Sequence, residues 1–173
     1  MTRSLGSNLP GDLLSRLTQR DLSRSAKKRV ILVTTVDADA WPRHAMLSYY
    51  EVVAKDERSL LALTYAKSQT TNNLQRGGNA LFLFVDQEMS YYVRAKCKKL
   101  GDGDSIGAPR EVIFDCIVED VSEDKLPTAK IESGLTFSGY DPGMSLEDRA
   151  SVRSKLIALA GGRGSRGRNS SQP

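Results

Sequence analysis

Histidine occurs once in the 173 residues, tryptophan once and cysteine twice. A single histidine, His44, leaves no second imidazole for a metal site, and no Ser-His-Asp or Cys-His set is apparent. Neither a metal centre nor a hydrolytic nucleophile is therefore expected. Cys97 and Cys116 are too few for a disulfide framework. Each lies in a strand-like run, where a small buried hydrophobe is the expected role. No apolar run reaches the ~18 residues that cross a bilayer. Met1–Leu14 lacks the apolar stretch of a secretory leader, so the expected location is cytoplasmic. Gly101–Gly107 holds Asp102 and Asp104 but lacks the glutamate and spacing of a calcium loop, and reads as a mobile hairpin loop.

The net charge of +4 is unevenly distributed. Residues 1–30 carry +5, residues 161–173 carry +3 and residues 31–160 carry −4. Basic ends thus flank a mildly acidic body. A nucleic-acid binder places its basic stripe on the folded body, so nucleic acid is not an expected partner. The basic ends read as solubilising segments.

Length and a hydrophobic content of 39% suit one globular domain with tails. Residues 1–28 read as a loop followed by an amphipathic helix, with Asp12 as cap and Leu13, Leu14, Leu17 and Leu22 on one face. That face is short and suits packing on the domain or a partner rather than a membrane. Residues 29–160 form the main domain. Strands are expected at Val30–Val36, Ala45–Val53, Ser59–Tyr65, Ala80–Val85, Ser90–Lys98 and Val112–Val118. Asp37–Ala40 is a hairpin turn carrying Trp41 beside it. Tyr91, Val93, Ala95 and Cys97 alternate with polar residues, so the fifth strand has one buried face. Of Tyr49 and Tyr50, and of Tyr91 and Tyr92, one each should enter the core. Short connections between six strands predict a mainly β protein, an antiparallel barrel with short peripheral helices.

Lys67–Gly78 is too long for a hairpin and reads as a short helix, capped by Ser68 and stopped at Gly77-Gly78. Ser122–Lys130 is a further helix candidate, interrupted at Pro127. Ser145 and Asp148 form a capping-box pattern before a helix with Val152, Leu156, Ile157, Leu159 and Ala160 on its apolar face. Residues 161–173, rich in Gly, Ser and Arg, read as a disordered basic tail.

The segment Lys67-Ser68-Gln69-Thr70-Thr71-Asn72-Asn73-Leu74 follows a strand and opens a helix. The first-turn amides and the hydroxyls of Ser68, Thr70 and Thr71 are expected to converge on one spot near Lys67. Such a helix N-terminus suits an anion, a phosphate above all. The alternative is a plainly capped helix with polar surface residues.

Around that segment the order of parts is distinctive: the Asp37–Ala40 turn, Trp41-Pro42-Arg43-His44-Ala45-Met46-Leu47-Ser48, a strand ending in Leu63-Thr64, the Ser68 turn, Asn73-Leu74, and Ala80–Val85. This order resembles the FMN-binding split β-barrel of the pyridoxamine 5′-phosphate oxidase-like family, over roughly residues 29–100 with the sixth strand continuing it. The resemblance implies a homodimer with FMN at the interface and hydride transfer to or from a small molecule. It matches Arg43, Met46, Leu47 and Ser48 to the strand lining flavin and phosphate, and Leu63 and Thr64 to the ring and ribityl flank. Lys67, Ser68, Gln69 and Thr70 match the phosphate turn, and Ser90 with its neighbouring tyrosines the partner-supplied wall. The family usually has Arg or Lys where this chain has Gln69 and Thr70, which removes two phosphate cations. The Arg- and His-bearing C-terminal extension that grips pyridoxal phosphate has no counterpart here, so that oxidation is not expected. Alternatives on the same barrel are a reductase using the deazaflavin F420, with Lys96, Lys98 and Lys99 facing its acidic tail, and a non-catalytic binding protein. No catalytic side chain is assigned, because in a flavoprotein the cofactor carries the redox chemistry.

Overall fold

A computed structural model describes residues 2–87, 89–125, 128–138 and 145–162. The strands are β1 (Thr2–Gly6), β2 (Val30–Val36), β3 (Pro42–Ser48), β4 (Val52–Asp56), β5 (Ser59–Tyr65), β6 (Asn79–Asp86), β7 (Met89–Asp102) and β8 (Glu111–Asp124). The α-helices are α1 (Gly11–Thr18), α2 (Gln69–Gly77) and α3 (Leu146–Gly161). The strands run in the order β3-β2-β6-β7-β8-β5-β4, with β1 added to β8, and every pair is antiparallel. The mainly β antiparallel class is as expected from the sequence. Among the described residues there are eight strands rather than six.

The two extra strands have different causes, one tertiary and one local. β1 has too few apolar residues to announce itself and becomes a strand by pairing with residues 121–124 of β8. The expected second strand, 45–53, is broken in two. The Ser48 amide and hydroxyl both donate to Glu51 Oε2, at 2.5 and 2.8 Å, and close a turn over 49–51. Tyr49 and Tyr50 sit in that turn and are both buried, whereas of the second pair Tyr91 is buried and Tyr92 only partly so. Residues 122–124, expected in a helix, extend β8, because β7 and β1 supply ladder partners on either side. The expected loop at 101–107 holds the last residues of β7 and a 3₁₀ turn at Gly103–Ile106.

The 14-residue strands β7 and β8 carry the architecture. Register shifts at Arg94/Ala95 and Lys99/Gly101 bend the pair, as bulges do. One half of β8 thereby meets β1 and the other meets β5. Phe82, Phe84, Phe114, Val93 and Val121 fill the interior. A second cluster lies outside, where Val53, Leu61, Leu63 and Ile113 pack against Val152, Leu156 and Ala160 of α3. β5 is therefore buried on both faces, which explains its run Leu60-Leu61-Ala62-Leu63 without alternation.

The helix ends follow capping chemistry. Ser145 and Asp148 exchange the reciprocal bonds of a capping box, as their spacing predicts. In α2, Ser68 Oγ accepts from the Thr71 amide at 3.1 Å. Gly78 then ends the helix with φ +70°, and a Cβ there would lie 2.9 Å from the Cys97 carbonyl oxygen. α1 starts after Pro10 with no side-chain cap, so Asp12 lies inside the helix rather than capping it. Leu13 and Leu17 are buried, and Leu22 is buried beyond the helix end. No helix among the described residues is long and apolar enough to cross a membrane. Most of the expected basic tail, residues 163–173, lies outside the described residues, as do Leu126 and Pro127.

Cys97 and Cys116 are both buried, as expected, but they are joined in a disulfide. They face each other directly in the β7–β8 ladder, a register that the sequence does not display. Cross-linking two strands restricts the unfolded chain. Reduction, or the Cys97→Ala/Cys116→Ala pair, is expected to lower stability by about 2 kcal/mol. Urea unfolding with and without dithiothreitol measures this, and equal midpoints would show that the bond contributes nothing.

Candidate functional site

α2 follows β5 directly and packs against β2, β3, β5, β6 and β7. It is anchored by its own polar residues. Thr71 Oγ1 lies 2.5 Å from Thr64 Oγ1 and donates to the Tyr65 carbonyl at 2.8 Å. Asn73 Nδ2 donates to Thr35 Oγ1 at 2.9 Å, and Arg76 donates to the Val36 carbonyl at 2.6 Å. Of the three hydroxyls expected to converge on one spot, those of Ser68 and Thr71 meet at 3.2 Å, but they serve the helix's own cap rather than an open site. Thr71 points inward, Thr70 is buried, and Ser68 Oγ is engaged by the Thr71 amide. The first-turn amides of Gln69 and Thr70 remain the donors at this end, since the opening N–H groups of a helix have no intrahelical acceptor. Lys67 and Gln69 are exposed beside them.

The other residues suggested by the sequence separate into three groups. Met46, Leu47 and Ser48 line one cleft of about 450 Å³, together with Val30, Tyr50, Glu51, Tyr65, Phe137, Ser138 and Arg149. Arg43 lies outside it and clasps the hairpin turn, its Nε 2.8 Å from Asp37 Oδ2. Arg43 and the Trp41 and Asp39 amides hold the Asp37 carboxyl below the usual carboxylate range. Leu63 and Thr64 face elsewhere: Leu63 packs under α3, and Thr64 is buried on Thr71. Ser90 is buried within its own chain, opposite Val85 in the β6–β7 ladder. His44 is exposed, with Nδ1 2.9 Å from Thr34 Oγ1.

Tyr65 and Arg149 also line a second cleft of about 390 Å³, between α3 and the loop after Ile106. Arg149 holds the junction. Its Nη1 donates to Glu51 Oε1 at 3.1 Å and its Nη2 to the Tyr65 hydroxyl at 3.1 Å. Glu111 lies 3.9 Å from Nη1. Burial opposes the Arg149 charge, but Glu51, Tyr65 and Glu111 outweigh it and raise its pKa. Sequence reading missed this group. Tyr65 reads as a strand terminus and Arg149 as an ordinary charged residue in a first helical turn, and they are 84 residues apart.

No family model matches the chain. Over 135 residues it is 26% identical to the Bacillus subtilis protein YclD, which is uncharacterized, covering 78% of this chain and 87% of YclD. Among solved structures it is similar to a "putative pyridoxamine 5′-phosphate oxidase" from Lactobacillus delbrueckii, with a TM-score of 0.55 and 18% identity over 69% of this chain and 98% of that one. The chain has the split-barrel fold of the pyridoxamine 5′-phosphate oxidase-like proteins. A single-residue variant of HupZ from Group A Streptococcus shares the split barrel, with a TM-score of 0.51 and 16% identity over 65% of this chain and 97% of that one. At these identities the likeness concerns the fold. In this split barrel the larger cleft opens beside β3 and is walled by Tyr65, three residues before the cap of α2.

Proposed function

We propose that the protein binds FMN in the cleft beside β3, with the cofactor phosphate at the N-terminus of α2, and transfers hydride between the flavin and a small molecule. The observation that carries this reading is an open, partly apolar cleft walled by Tyr65, which lies three residues before the cap of a helix whose first-turn amides are donors to spare. α1 and α3 carry Asp12 and Glu147/Asp148 in their first turns, whereas α2 carries no acid there. An anion is stabilised at such an end by the dipole and by the N–H groups. Met46 and Leu47 supply apolar contact for a flat ring, and Lys67 a cation for the phosphate. When bound, flavin supplies hydride transfer. The chain's own residues bind and orient it, and exclude water from one face.

A second copy of the chain is the natural cover. Val36, Trp41 and Met46 are large, apolar and exposed on the β2–β3 hairpin, which forms an edge of the sheet. An uncovered edge of this kind favours pairing with another chain. FMN is favoured over F420 by the state of the lysines. Lys96 is bound to the Gly77 carbonyl and Asn79, and Lys99 to Asp102, which leaves Lys98 alone of the three for an extended acidic tail.

Titration of the purified protein with FMN and with F420, followed by cofactor fluorescence, tests the reading. One FMN per chain is expected, with a dimer in light scattering. A protein that binds neither cofactor is not a flavoprotein, and a preference for F420 moves the assignment to deazaflavin chemistry.

A further inference from the structure

We propose that the second cleft, between α3 and the loop after Ile106, binds the anionic end of the small-molecule substrate, a carboxylate or phosphate ester. This rests on the flavin reading for its meaning, though not for its geometry. At about 390 Å³ the cleft is in the size range of small-molecule sites. Ile106, Ala108, Pro109 and Val152 give it an apolar lining, and Arg110, Arg149 and Lys155 give it three cations.

The charges decide what it takes. Three cations face two carboxylates, each of which has a local partner and keeps its charge. Asp148 accepts from the Ser145 amide and hydroxyl at 3.0 and 2.7 Å in the α3 cap. Glu111 lies beside Arg149. Arg110 and Lys155 are exposed and have no ion-pair partner among the described residues. The cleft thus keeps two uncommitted cations over an apolar floor, an arrangement that suits an organic anion rather than a cation or a neutral molecule. Gly107 contributes to it. It has φ +81°, and a Cβ there would lie 3.3 Å from Lys155 Nζ. The missing side chain lets the ammonium group lie against the loop.

Position decides what the cleft is for. Tyr65 and Arg149 line both clefts, so a molecule anchored at Arg110 and Lys155 can extend past the Tyr65 ring toward the cleft beside β3. Arg149 is a positioning residue here. Pinned by Glu51, it holds the Tyr65 hydroxyl at the boundary.

The probes are 4-fluorobenzoate and 4-fluorophenyl phosphate, followed by ¹⁹F NMR on the full chain without added flavin. Saturable binding of at least one is expected, and the stronger of the two identifies the anion. Arg110→Gln and Lys155→Gln are each expected to weaken it about 10-fold. Ser151→Trp, placed on the cleft wall, is expected to abolish it. All three positions are exposed and outside the core, and FMN affinity is expected to stay at the wild-type value. Absence of binding, or binding unaltered by all three substitutions, overturns the proposal. Probe binding without FMN binding sustains the anion site and removes the flavin reading. FMN binding without probe binding does the reverse.

Discussion

Replacing Arg153 with methionine is expected to lower the unfolding free energy by about 3–5 kcal/mol. Arg153 lies on α3 and is completely buried. Its guanidinium donates to the Gln19 carbonyl at 3.0 and 2.8 Å, to those of Leu17 and Val52 at 3.1 Å, and to that of Tyr49. One side chain thereby satisfies carbonyls at the end of α1, in the turn between β3 and β4 and at the start of β4. Burial brings its pKa down to about 10, so it remains charged at neutral pH. Methionine replaces the stem but leaves those carbonyls buried without a donor, and each unsatisfied group costs about 1–3 kcal/mol. Lysine keeps the charge, yet a compact ammonium cannot span the same fork, so Arg153→Lys is expected to lose about half as much. Urea unfolding reads both. A loss below about 1 kcal/mol for Arg153→Met would mean that water or a rearranged turn replaces the donors. Because the same turn carries Ser48 and Glu51, the folded fraction of Arg153→Met should also bind FMN more weakly.

The second large effect is expected at Gln69. Gln69→Glu should weaken FMN binding about 100-fold, and Gln69→Arg should strengthen it about 10-fold. Gln69 is exposed in the first turn of α2, and its side-chain bond goes to Asn73 within the same helix. Gln69→Glu removes one donor to the buried Asn73 Oδ1, which keeps its bond from Arg76. A carboxylate there repels a phosphate at the helix start, while a guanidinium supplies a cation for it. Stability separates this from a general disturbance. A glutamate in the first turn favours the helix dipole by about 0.3–1 kcal/mol. That gain offsets the lost bond to Asn73, worth about 0.5–1.5 kcal/mol, so Gln69→Glu should fold about as well as the wild type while binding FMN worse. Equal FMN affinity in the wild type and both variants would place the phosphate elsewhere.

The fold was legible in the sequence where local patterns and burial agree. The β-branched run at Val30–Val36 and the alternation in β7 report their strands directly, because each has a consistent buried face. The Ser68 cap, the Gly78 stop and the Ser145–Asp148 box are local hydrogen-bond chemistry and appear as their spacing predicts. The break at Ser48 was illegible, because Glu51 looks like an ordinary polar residue until its carboxylate closes the turn. The orientation of Thr64 and Thr71 was also hidden. Hydroxyls near a helix start suit an anion and a neighbouring backbone equally well, and only packing against β5 selected the second.

The sequence alone determined that this is a mainly β antiparallel protein with a short polar helix between two strands, since periodicity and capping are properties of neighbouring residues. Tertiary structure decided what surrounds that helix. The pairing of Cys97 with Cys116, the burial of Arg153 and the meeting of two clefts at Tyr65 and Arg149 depend on strand register and on where α3 docks. Contacts between residues this far apart in the chain leave no local pattern. They are set by the bend of β7 and β8 and by the apolar outer face of β5, which holds α3 in place.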